Sequence, residues 1–158
     1  MMGRALIILG WMSTLGFLGT GLIGLLAPAR ASIGLHILAA LLTSILLLFS
    51  HCWIMFYLIG TGKALRLAVE DHGLDPNIVE ETKRFKNESY PWLMAAMGLA
   101  MATFILGGGV PTGAIPKWLH QTLFLATLAV QIKTVLVEQL VLSQNRRLLH
   151  STEKKITG

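Results

Sequence analysis

The sequence predicts an all-α integral membrane protein, a four-helix bundle whose chain crosses the bilayer four times. Three observations predict it. Of 158 residues, 54% are hydrophobic and 13% charged, against roughly 25% charged in an average soluble domain. The charges gather in a few short blocks instead of spreading along the chain. Between the blocks lie long apolar runs without the alternation a β-strand needs. A bilayer core gives backbone groups no water to bond, so each crossing is a helix or part of a closed barrel, and unalternating runs select the helix.

The first crossing is the uncharged stretch from Ala5 to Ala27, since about 20 apolar residues span the hydrocarbon core. Ala29-Arg30-Ala31 imitates a cleavage site, but the run is longer than the apolar segment of a signal peptide. A second uncharged run gives a helix over 32–62, longer than one crossing needs and so tilted or projecting. Trp53, Phe56 and Tyr57 near its end have the character of an interfacial aromatic belt. From 63 to 89 the chain turns polar and charged. There Leu65, Leu67, Ala68 and Val69 keep a helical pattern to Gly73, and Asp75-Pro76 caps another short helix, a helical loop on the cytoplasmic surface.

The third crossing covers 90–107, with Gly107-Gly108-Gly109, Pro111 and Pro116 turning the chain. The fourth helix covers 117–149, leaves the membrane as it becomes polar, and is followed by a frayed tail. Arg4, the bases between Lys63 and Lys86, and those from Arg146 to Lys155 share one side, against Arg30 and Lys117 on the other. By the positive-inside rule both termini face the cytoplasm, which suits a bacterial inner-membrane protein. The net charge of +5 then faces anionic lipid headgroups and not nucleic acid.

The halves echo each other. Leu35-His36 opens the second helix as Leu119-His120 opens the fourth, and Thr43 recurs as Thr127. This is the signature expected of two repeated helical hairpins, whose parallel repeat would put a two-fold axis along the membrane normal.

Histidines in apolar helices are the chemically informative residues, because a polar ring in hydrocarbon is costly and faces a partner, cofactor or wet cavity. His36 and His120 lie at matching depth near the outer boundary. Two imidazoles from different helices are what a six-coordinate haem b requires as axial ligands. The expectation is therefore an electron-transfer protein with haem b between helices two and four, with a quinol or a cytochrome as redox partner. His51, about 22 Å further along the second helix, suits a second haem only with an unlike ligand such as Met94, Met97 or His72, because Val135 stands at its repeat position. The competing expectation is a non-catalytic scaffold or assembly subunit packed against other membrane subunits or copies of itself.

Other chemistries lack their residues. One cysteine, Cys52, excludes an intramolecular disulfide and a cysteine-cluster metal site. The glycine triplet lacks the Lys-Ser/Thr of a phosphate loop. No nucleophile, base and acid occur together for hydrolysis or group transfer. Lys133 is close enough to the inner headgroups to snorkel, and its spacing to Glu138 is poor for a helix-face pair. A path through Gln131, Lys133 and Glu138 is therefore disfavoured, and a carrier or channel lacks paired intramembrane charges.

Overall fold

A computed structural model describes residues 2–26 and 33–157 as four helices: α1 (Met2–Leu26), α2 (Ile33–His72), α3 (Asn77–Gly108) and α4 (Lys117–Thr157). The expectations that fall on Ala27, Arg30 and Ser32 lie outside the described residues. All four helices are long and apolar enough to cross a membrane.

Each helix buries one stripe whose residues recur every three or four positions. In α3 these are Ile78, Thr82, Phe85, Ser89, Leu93, Ala96, Ala100 and Thr103. In α4 the stripe includes Gln131, Thr134, Glu138, Val141, Asn145 and Thr152. A repeat near 3.5 residues keeps a helix against neighbours that cross at a shallow angle. Around the bundle, α1 packs on α2 and α4, and α3 packs on the same two. Helices α2 and α4 also meet across the centre, whereas the backbones of α1 and α3 stay apart. The axis of the molecule is thus the α2–α4 seam.

The inside is more polar than a soluble core and the outside is apolar. Ser13, Thr14, Thr43, Ser44, Ser50, His51, Thr127, Gln131, Thr134, Glu138 and Asn145 are buried. Leu15, Leu25, Leu42, Phe56, Ile105 and Leu125 stand outward, each more than half exposed. In hydrocarbon an outward leucine loses nothing, and helix association rests on close packing and hydrogen bonds between small and polar residues.

Four expectations about element boundaries are corrected. The segment 63–89 is not a separate helical loop. Its first part is the end of α2 and its last part the start of α3, with only Gly73 to Pro76 between them. Gly73 takes a positive φ of 61°, which a residue without Cβ adopts freely, and Asp75 Oδ1 accepts the backbone N–H of Asn77 at 2.9 Å. Pro91 does not begin the third crossing but sits inside α3. The buried stripe passes Pro91 without a change of phase, and Tyr90 donates its hydroxyl to the Met55 carbonyl at 3.1 Å, tying α3 to α2 beside the proline. The tail likewise continues as helix to Thr157 instead of fraying, with Thr152 buried in its stripe. The glycine triplet is divided too, because α3 runs to Gly108 before the chain turns through Gly113.

Candidate functional site

The α2–α4 seam carries polar residues at three levels. Its outer level is formed by His36 and His120, whose ring centroids are 6.5 Å apart with planes at 79°. Both rings are half-buried and line one cavity of about 680 Å³. Phe17, Phe124, Ala40 and Ile37 give it apolar walls, and Lys117 and Gln121 bring polar groups to it. Phe17 and Phe124 stack with centroids 5.0 Å apart.

Each hairpin holds its histidine in the same way. His36 lies against Gly24 of α1, where an added Cβ would come within 2.6 Å of the ring Cε1. His120 lies against Gly107 of α3, where the corresponding distance is 2.7 Å. One turn deeper, Thr20 and Thr43 join α1 to α2 by a 2.9 Å hydrogen bond, and Thr103 and Thr127 join α3 to α4 by one of 2.7 Å. The matched residues are displaced by 83 positions between α1 and α3 and by 84 between α2 and α4.

The ring of His36 has a defined orientation. Its Nδ1 is 3.0 Å from the Thr20 carbonyl oxygen, and because a carbonyl only accepts, Nδ1 must carry the hydrogen. Nε2 then keeps its lone pair and is the atom free to ligate, the usual arrangement of a metal-binding imidazole held by a backbone carbonyl. Nδ1 of His120 is buried without a hydrogen-bond partner among the described residues.

The middle level was not anticipated as a unit. His51 is fully buried, with Nε2 2.9 Å from Gln131 Oε1 and Nδ1 2.6 Å from Glu138 Oε1. The latter contact has ion-pair distance without the alignment of a full hydrogen bond. Gln131 in turn donates to Thr14 Oγ1 at 3.1 Å. The expectation weighed Glu138 only against Lys133 on its own helix. Glu138 meets His51 across the seam, while Lys133 turns to the Trp92 ring, 5.7 Å from its centroid. Lys133 therefore has no part in the contacts of His51 with Gln131 and Glu138. Both His51 nitrogens thus face polar side chains of α4. Of the unlike ligands considered, Met97 lies against Cys52, Met94 is mostly exposed, and His72 ends α2 on the outside of the bundle.

At the inner level the Asn145 amide donates to Thr61 Oγ1 at 3.1 Å. These two residues are again 84 apart. No group of three or more His, Cys, Asp or Glu that could hold a metal ion occurs among the described residues.

The signal for the outer level lay in the histidines themselves. For their glycine and threonine supports, the signal was the recurrence of Thr20 and Gly24 as Thr103 and Gly107. The middle level left no comparable trace, because Val135 breaks the repeat opposite His51. No protein-family model, no curated protein and no solved structure matches the chain.

Proposed function

We propose that the chain is an integral membrane electron carrier, built from two copies of one helical hairpin, that holds haem b between His36 and His120. The observation that carries this reading is the separation of the two imidazoles. Two imidazoles holding one metal through bonds of about 2 Å each, with about 1 Å from each nitrogen to its ring centre, would have their centres roughly 6 Å apart. The measured separation is 6.5 Å.

Two ligands suit only a metal that brings the rest of its coordination sphere with it, and a macrocycle does so. Bound iron would supply one-electron chemistry. His36 and His120 would hold it from opposite faces, with the Thr20 carbonyl keeping His36 in the ligating tautomer. Phe17 and Phe124 would keep water from its faces, and Lys117 would offer a cation to its carboxylates. A cavity of about 680 Å³ falls within the roughly 300 to 1,000 Å³ of cofactor pockets.

The basic ends of all four helices share one end of the bundle, so the proposed orientation has both termini in the cytoplasm of a bacterial inner membrane and the cavity near the outer leaflet. A membrane quinol or a cytochrome is the proposed redox partner, and the apolar outer surface suits neighbouring subunits or further copies of the chain. The test is optical. Protein purified from haem-replete cells is expected to show a Soret band and a sharp reduced α-band, both lost in His36→Ala and in His120→Ala. A colourless preparation would replace this reading with that of a non-catalytic scaffold subunit.

A further inference from the structure

We propose that His51 and Glu138 form a proton-binding site within the membrane, with Glu138 Oε2 as the position that takes up a proton from water. This inference is independent of what occupies the outer cavity. The hydrogen bonds around His51 each run in one direction. Thr14 Oγ1 donates to the Gly10 carbonyl at 2.9 Å, so toward Gln131 it can only accept. The Gln131 amide nitrogen therefore points to Thr14 and its oxygen to His51. That oxygen accepts, so Nε2 of His51 must carry a hydrogen.

Consequently the only variable protons lie on Nδ1 and on the Glu138 carboxyl. With none between them, two lone pairs would face each other at 2.6 Å. The close pair therefore carries one proton, as imidazolium against carboxylate or as carboxylic acid against neutral ring. Either way the pair is neutral overall, the charge state that burial allows at least cost.

Neither carboxyl oxygen makes an aligned hydrogen bond, but Oε1 has the His51 ring at 2.6 Å and Oε2 has no such contact among the described residues. Glu138 is 1% exposed, yet Oε2 has no hydrogen-bond partner among the described residues. A group present only to tie α2 to α4 needs one oxygen, and a buried acceptor left unmade is costly. Gly10 faces Oε2 at a point where an added Cβ would lie 3.0 Å away, so the missing side chain leaves the space beside that oxygen. A proton arriving from water at Oε2 gives a carboxylic acid still in contact with the imidazolium through Oε1, and the pair passes from neutral to a single positive charge. Release returns that proton to water.

The surroundings add no charge that would substitute for this proton. Helix α1 presents Gly10 and Thr14, and α4 presents Gln131 and Val135. Helix α3 passes this level with the buried Leu93 and Ala96. Lys133 is turned to Trp92, the Tyr57 hydroxyl lies by Gly3, and Arg4 is exposed.

The test is an infrared pH titration of the full chain in lipid nanodiscs, with helicity followed by circular dichroism. A protonated-carboxyl C=O band is expected to grow on acidification, to shift on deuterium exchange and to be absent in Glu138→Gln. Gly10→Ala keeps the pair but crowds Oε2, and is expected to move the midpoint to lower pH by about one unit, a tenfold change in proton affinity. The proposal is overturned if no such band titrates while the helices persist, or if the band survives in Glu138→Gln. A midpoint unmoved in Gly10→Ala overturns it as well. So does a midpoint that follows sodium concentration, which would mark a metal-cation site.

Discussion

At Gly24 and Gly107 a single methyl group decides whether a histidine can lie where it does. An alanine at either position would bring Cβ within 2.6 or 2.7 Å of the imidazole, and neither the ring nor the helix backbone can yield freely. Gly24→Ala and Gly107→Ala are expected to weaken or shift the absorption bands of the proposed haem while both ligands remain. Gly19→Ala, which meets nothing within 4 Å, leaves the spectrum unchanged. Identical spectra in all three would separate the glycines from ligand placement. At the middle level, Glu138→Ala removes the partner of a fully buried ring. A loss on the order of 3 kcal/mol is expected, read from the unfolding midpoint in detergent, with a smaller loss for Glu138→Gln. His36 and His120 were legible in the sequence because a polar ring in an apolar run stands out by itself. The partner of Glu138 was not legible there, because it is His51 on another helix.

Among the helices, the sign of a glycine substitution follows backbone conformation and not crowding. Gly60 and Gly73 both have open space where a Cβ would go. Gly60 lies inside α2, where alanine is preferred by roughly 1 kcal/mol. Gly73 has φ of 61° in the α2–α3 turn, where a Cβ costs roughly 1 kcal/mol. Gly60→Ala is expected to raise the thermal midpoint and Gly73→Ala to lower it. Shifts of the same sign would contradict this account of the turn. Helix boundaries were the less legible part. Pro91 looked like a start because proline removes a backbone donor, yet the stripe from Ile78 to Thr103 runs through it in phase. Helices α2 and α3 likewise run on past the apolar stretch, because Leu65, Ile78, Thr82 and Phe85 continue the buried stripe among charged neighbours.

For the whole molecule, the site is a property of two hairpins together. Each supplies one histidine, its glycine and its threonine pair, and neither holds both imidazoles. Separate chains covering 1–74 and 75–158, expressed together, are expected to restore the absorption bands that neither half gives alone, since membrane helices can insert first and associate afterwards. Bands from a single half would overturn the shared site.

Local properties were settled by the residues themselves. Hydropathy over some twenty positions tells that a segment is helical and suited to lipid, and lysine and arginine placement groups the helix ends. Those quantities need no knowledge of a neighbour. Which polar groups meet is a different kind of fact, because it depends on the rotation and register of helices joined by some eighty residues of chain. Only the packed bundle decided that Glu138 reaches His51 and not Lys133, that Gly24 and Gly107 cradle the two outer rings, and that the polar levels stack along α2 and α4. Turning a helix by the roughly 100° between successive positions would have exchanged those partners without altering the hydropathy of a single segment.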